Sequence, residues 1–401
     1  MKNIFLLCFL LLNAICYFSC RSSENSEKFP IVIDANPDKA ILHLPLSSIF
    51  DEITYIPLET RSPEVLFGLD WLGTVIMQDD KIIIFDNPSV EENVFIFDNK
   101  GKFRNKITAK GEGPGKILAT NDILYDSKKE HIEILDYYQK KIIQYDLEGN
   151  LKEEIPTLHS FYKFVKFDND SYCFYSRNRP QTEEEEPKNL WRVNKDKIES
   201  FLPIPKYIRK YNIEEQNFSN NYKGSYLFKN ILSREFYRIS STVPPYAEYQ
   251  IDFGNKWVKE DVLDRLALDI RKYRKKLLYA KKDHVYQIKK VFETENYIFF
   301  TYYYDSCYFW NFYNKKTNIN VISKTRQNDI DQGLLGEQPR VRAWTVYDDC
   351  LVFLAAANDI RFRAESLKLP AESPLSQVAA KLGWEDNPVV IIAKLRKDIG
   401  Q

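Results

Sequence analysis

The stretch Val94–Ile117, "VFIFDNKGKFRNKITAKGEGPGKI", is followed 48 residues further on by "IIQYDLEGNLKEEI", Ile142–Ile155. The two passages say nearly the same thing. Laid out in full, they are Lys81–Ile107, "KIIIFDNPSVEENVFIFDNKGKFRNKI", and His131–Ile155, "HIEILDYYQKKIIQYDLEGNLKEEI". Each opens with an Ile-rich run ending in aspartate, Asp86 and Asp136. Each continues through a polar turn to a second run ending aromatic–Asp, at Asp98 and Asp146, and closes on a third run, Phe103–Ile107 and Leu151–Ile155. Short β-branched and aromatic runs suit strands buried between neighbouring sheets. Gly101 and Gly149 supply the positive φ of tight hairpins, and Asp98 and Asp146 can bond the turn backbone.

A repeat of about 50 residues with three or four short strands is the signature of a propeller blade. More diverged units follow at Phe164–Phe174 plus Leu190–Ile204, at Ser225–Phe253 and at Lys290–Ser323, with a last one in Trp344–Leu354 plus Val389–Leu395. Residues 45–400 hold six or seven units of this size, and six is the count adopted. The predicted fold is therefore an all-β, six-bladed propeller over residues 31–401. Ile53–Glu59, "ITYIPLE", and Val389–Leu395, "VVIIAKL", are predicted to share one blade and close the ring, which removes an open edge.

A helical insertion is predicted at about 261–282, "DVLDRLALDIRKYRKKLLYAKK", with an apolar stripe and a basic remainder. That basic face is either a solvated surface or a contact for acidic glycans, anionic lipid or an acidic partner. A second helix is predicted at Ser376–Leu382.

The chain of 401 residues carries 57 Lys plus Arg against 57 Asp plus Glu, so no global field draws nucleic acid. Tyr and Phe number 26 each against 13 Gly, a β-leaning composition. The mean hydropathy of −0.44 argues against many membrane spans.

The N-terminus reads as an export signal. Lys2 precedes an apolar run, Ile4–Phe18, too short to span a bilayer, and then "YFSC" with Cys20 and a polar stretch. This resembles a bacterial lipoprotein signal, with residues 1–19 removed, Cys20 diacylated and 20–30 a tether. The membrane would then be a partner through that anchor. Tyr17 and Phe18 are bulkier than the usual pattern. Ordinary signal cleavage or an uncleaved anchor are the alternatives. Cys173, Cys307 and Cys350 lie in apolar contexts as buried thiols, with a Cys307–Cys350 bridge as the alternative.

"YIPLET" at Tyr55–Thr60, "KGEGPGKI" at Lys110–Ile117, the repeat itself and "DNPVVIIAKL" at Asp386–Leu395 together resemble a group of exported six-bladed β-propeller lipoproteins of Bacteroidota. The units are also similar to NHL repeats. The resemblance implies six blades and a place in the cell envelope, anchored at the outer membrane, and no chemistry. Lys116 departs from it, since related sequences carry an acid or an aromatic there. In the NHL-like reading Gly111, Glu112, Gly113, Pro114, Gly115 and Lys116 lie between blades at one mouth of the central channel. They are the candidate ligand-binding loop, although a connector shaped by Gly and Pro explains them too. A phosphate loop needs a helix directly after it, and a strand pattern follows instead.

The four histidines, His43, His131, His159 and His284, form no ligand pair, and no metal or cofactor is expected. There is no G-x-S-x-G elbow. Glu183–Glu186 reads as a solvated loop lacking a calcium pattern. Phe300–Tyr313, "FTYYYDSCYFWNFY", has nine aromatics in fourteen residues, mostly core but with candidates for sugar or protein contact. The expected function is binding or scaffolding for a glycan, peptide or envelope protein partner. The alternative is a glycan hydrolase or lyase acting at the channel mouth.

Overall fold

A computed structural model describes residues 29–60, 65–69, 72–86, 93–181, 186–195, 197–205, 216–259, 262, 284–336 and 342–400. The two repeat passages become adjacent four-stranded antiparallel sheets. Blade 1 runs Leu72–Gln78, Lys81–Asp86, Asn93–Asp98, Phe103–Thr108, and blade 2 runs Thr120–Asp126, His131–Asp136, Lys141–Asp146, Leu151–Pro156. The repeat recognised in the sequence thus starts at the second strand of each blade. The first strand lines the axis, so it carries more polar residues and a weaker apolar signal.

Blades 3 and 5 follow the same plan over Lys163–Pro203 and Ile288–Ser323. In blade 4, residues 217–222 form an irregular inner strand held by bridges Phe218–Phe228 and Tyr222–Ser225. Three regular strands lie outside it, between Tyr226 and Asp252. Blade 6 joins Arg342–Tyr347, Cys350–Ala355 and Val389–Leu395 to Phe50–Pro57 from the other end of the chain. The predicted closure is therefore present, with Val389 opposite Pro57 and Ile391 opposite Tyr55.

The N-terminal segment does more than close one blade. Ile31–Asp34 adds a parallel outermost strand to blade 4, from Ile31 opposite Tyr249 to Asp34 opposite Asp252. Ile41 then bridges Ser323 at the rim of blade 5, and Leu44–Pro45 pairs with Arg326–Gln327. Phe50–Pro57 completes blade 6. Residues 31–57 are thus a belt around three consecutive blades.

Each of the six seams between blades holds its own apolar cluster. Ile83, Val94 and Ile134 lie between blades 1 and 2, and Leu135, Phe164 and Trp191 between 2 and 3. Tyr175 and Phe228 lie between 3 and 4, and Ile251 and Phe300 between 4 and 5. Phe50, Phe312 and Phe353 lie between 5 and 6, and Phe97 and Val390 between 6 and 1. This explains why the inner runs are apolar on both faces rather than alternating. Of the aromatics in Phe300–Tyr313, six are buried, and Tyr303, Tyr304 and Tyr308 are half-buried.

Between the second and third strands of blade 6 lie two helices, Ala357–Leu367 and Pro374–Ala379. The second is the one expected near Ser376, and Ser373 caps it by accepting from the Ser376 N–H ahead of Pro374. The first has only Ala357, Ile360 and Ala364 buried, too weak an apolar stripe to stand out in the sequence. The insertion predicted at 261–282 lies outside the described residues apart from Val262, as do Cys20 and Glu183–Glu185. Cys173, Cys307 and Cys350 are free thiols, so no Cys307–Cys350 bridge forms. No helix among the described residues is long and apolar enough to cross a membrane.

Gly101 and Gly149 both have positive φ, +80° and +88°. They are not equivalent. A Cβ on Gly101 would lie 2.2 Å from the Pro57 carbonyl oxygen of the closing strand, whereas one on Gly149 would meet nothing nearer than Ile107 at 3.5 Å. Gly149→Ala is expected to cost about 1–2 kcal/mol for its left-handed backbone. Gly101→Ala is expected to cost about 1–3 kcal/mol more, because the seam between blades 6 and 1 must open. Urea denaturation of the two variants side by side checks the ranking, and equal midpoints would refute it.

Candidate functional site

The inner strands of all six blades converge on a central channel of about 1290 Å³. All six start at one end, where the outer-to-inner crossovers lie. They finish at the other, where the first hairpins turn. These are called the crossover end and the hairpin end.

At the hairpin end, two buried ionic networks bind neighbouring blades. Lys166 of blade 3 reaches back to Asp126 at 2.6 Å and Glu133 at 2.7 Å in blade 2. Glu133 is fully buried and also accepts from the Tyr172 hydroxyl and the Gln144 amide. Burial works against the charge of Lys166. Its hydrogen bonds to Asp126 and Glu133 outweigh that and hold the ammonium above its ordinary range. Two blades on, Arg238 of blade 4 grips Glu293 of blade 5 through both oxygens, at 2.6 and 2.9 Å, and Lys315 adds a contact at 3.2 Å. The side chain of Glu293 is 1% exposed. Burial opposes the Arg238 charge as well, and Glu293 more than restores it.

At the crossover end, Lys163 pairs with Asp122 at 3.0 Å, and the Phe164 N–H donates to the same carboxylate. Burial raises the Asp122 carboxyl above its usual range, against the pull of Lys163. The guanidinium of Arg177 lies 3.8 Å from the ring centre of Tyr162. Arg177 and Asn178 both sit in the left-handed region, at φ 56° and 57°. Buried Asn189 holds that turn, accepting from the Asn178 N–H and the Ser176 hydroxyl while donating to the Asn178 side chain. Such paired left-handed residues persist only where surrounding bonds fix them.

Gly111–Lys116 form the crossover from blade 1 to blade 2, on the same face as that end. They pack outward against the outer strands of blade 2, and none of them is among the residues lining the channel. Gly115 donates to Glu154 and accepts from the Tyr145 hydroxyl, and the Lys116 carbonyl accepts from Gln139. Gly111, Gly113 and Gly115 all have positive φ, and Glu112, Gly113, Pro114 and Lys116 are exposed. Asp136, fully buried, holds the end of the crossover by accepting from the Leu118 N–H and from its own turn at Tyr138 and Gln139. Asp98 and Asp146 cap hairpins as the spacing suggested. Asp146 accepts from Asn150 and Glu148, and the bonds from Asn150 lower its carboxyl to about 2.

No group of three His, Cys, Asp or Glu residues among those described is arranged to hold a metal ion. The residues that shape the channel, Asp122, Lys163, Lys166, Lys289, Lys290 and Glu293, were not singled out from sequence. Their signal was faint: isolated charges at the ends of a short apolar run, as in "KFVKF".

A six-bladed propeller with a polar axial channel is the class that fold and site define. The model of a domain of unknown function, DUF4934, matches residues 30–394, and the chain belongs to that family. No curated protein matches it. Among solved structures it is similar to an exported protein of Bacteroides fragilis, with 18% identity and a TM-score of 0.69 over 92% of this chain and 100% of the other. That likeness supports the six-bladed fold. A DUF4221 member from Bacteroides vulgatus matches at 8% identity and TM-score 0.46, over 86% of this chain and 97% of the other. An inactive virginiamycin B lyase from Staphylococcus aureus, solved with quinupristin, matches at 12% and 0.43, over 75% and 82%.

Proposed function

We propose that this protein is an envelope binding module that takes a glycan into its axial channel. The observation that carries the reading is the channel itself. It is larger than a typical small-ligand pocket, and each blade contributes polar side chains or backbone to it. Half-buried Tyr308 at its wall is a surface on which a sugar ring can lie. Export and anchoring through acylated Cys20 at the outer membrane fit the N-terminal sequence and the exported relative. A propeller fold alone selects no function, so the site must carry the argument.

The test is a thermal-shift screen of the intact chain against oligosaccharides, with mass spectrometry on the same mixtures. A glycan that stabilises the protein and is recovered intact is the expected result. Fragments of that glycan would replace binding with hydrolysis or elimination. No shift with any glycan would overturn the reading and leave a protein partner as the object of search.

A further inference from the structure

The belt is apolar on its outer face as well as its inner one. Residues 29–42 hold six large apolar side chains, and only Ile33 turns into the seam between blades 4 and 5. The other five, Phe29, Ile31, Val32, Ile41 and Leu42, are exposed, Phe29 by 82% and Val32 and Leu42 by 60% each. Single exposed apolar residues are ordinary, but five in one segment mark a surface that something covers. Ile31–Asp34 is also the outermost strand of blade 4, and a bare apolar edge is a liability unless it is masked. The charges of the turn that follows are matched in pairs, Asp34 with Lys39 and Asp38 with Lys256, so those acids do not repel an anionic surface.

The segment lies on the perimeter of the disc. Ile31 stands opposite Tyr249 on the outer strand of blade 4, and Ile41 bridges Ser323 on the outer strand of blade 5. None of the five apolar residues lines the channel. The chain that leads into the segment indicates what covers it. Nine peptide steps separate Cys20 from Phe29, and fully extended they span about 30 Å at most. A domain of this length is roughly 50 Å across. The anchor therefore holds the rim that begins at Phe29 nearer to the bilayer than the disc is wide. Resting on the acylated Cys20 proposed above, we infer that this rim is a membrane-docking surface. Phe29, Ile31, Val32, Ile41 and Leu42 lie against the bilayer that carries the anchor, adding an apolar contact to the acyl chains. The disc then stands on edge, and both mouths of its channel open into solution.

Spin labels on the intact acylated chain in vesicles of phosphatidylethanolamine with phosphatidylglycerol test this. They are attached at Val32→Cys, at Leu42→Cys and at Glu153→Cys, an exposed position on the outer strand of blade 2, across the ring from blade 5. The half-buried thiols are first removed by Cys307→Ser and Cys350→Ser. The Val32 and Leu42 labels should collide readily with lipid-soluble oxygen. They should be at least about tenfold less accessible to a water-soluble nickel chelate than the Glu153 label. Phe29→Glu combined with Ile41→Glu should return the Val32 label to the accessibility of the Glu153 label, while the acyl chains keep the protein in the vesicles. Circular dichroism confirms that the variant folds. A Cys20 found by mass spectrometry to carry no acyl group would overturn the anchor and the inference with it. An acylated chain whose three labels are equally open to nickel would overturn the docking alone. Labels shielded from nickel and oxygen alike would mean that a protein chain covers the rim, and would also overturn it.

Discussion

Deleting residues 29–57 is expected to abolish the cooperative unfolding transition and leave the remaining chain aggregated. The belt supplies Ile33, Leu44, Leu46, Ile49, Phe50, Ile53 and Tyr55, all at most 9% exposed. Burying one large apolar side chain is worth about 1.5–3 kcal/mol. Seven of them together match or exceed the whole stability of a typical domain, about 5–15 kcal/mol. Their removal also bares three strand edges, and open edges invite pairing with other chains. A milder form of the experiment isolates the packing. Phe50 sits edge-on to Phe312 of blade 5 and Phe353 of blade 6, at 6.2 and 6.5 Å between ring centres. Phe50→Ala should cost about 3–5 kcal/mol. A truncated chain with an unchanged, single urea transition would show that the belt is dispensable.

Glu293→Ala should be the most damaging single charge removal at the channel. It leaves Arg238, whose side chain is 10% exposed, with Glu248 as its one remaining carboxylate among the described residues, and leaves Lys315 with the Thr294 carbonyl and the Tyr222 ring. Breaking one side of a buried pair costs about 3–5 kcal/mol, because the other charge stays desolvated. The paired change Arg238→Met with Glu293→Leu should recover most of that loss, since neither charge then needs water. Glu248, which also contacts Arg238, is 24% exposed and can turn to solvent. Urea midpoints for the single and double variants decide the matter. If the double variant is no better than Glu293→Ala alone, the network holds the seam by shape rather than by charge.

The channel could not be seen in the sequence for a related reason. Lys166 and Glu133 are 33 residues apart, and Arg238 and Glu293 are 55 apart. Each pair meets only because consecutive blades pack face to face. A lysine in "KFVKF" looks like any edge-strand charge until a neighbouring blade places Glu133 against it. Gly111–Lys116 shows the opposite case. Three glycines and a proline mark a sharp turn from sequence alone, but whether that turn faces the axis or the rim depends on Glu154, Tyr145 and Gln139 of the next blade.

The periodic aspartates, the hairpin glycines and the aromatic strands by themselves determined a propeller, because strand length, turn chemistry and repeat spacing are local and leave that solution for burying both faces of every sheet. The matching terminal strands likewise determined where the ring closes. The belt over blades 4, 5 and 6, the left-handed turn that lays Arg177 on Tyr162 and the ionic networks between blades were decided only by the tertiary structure. Each depends on contacts between residues far apart in the chain, and their energies exist only once six blades have brought those residues together.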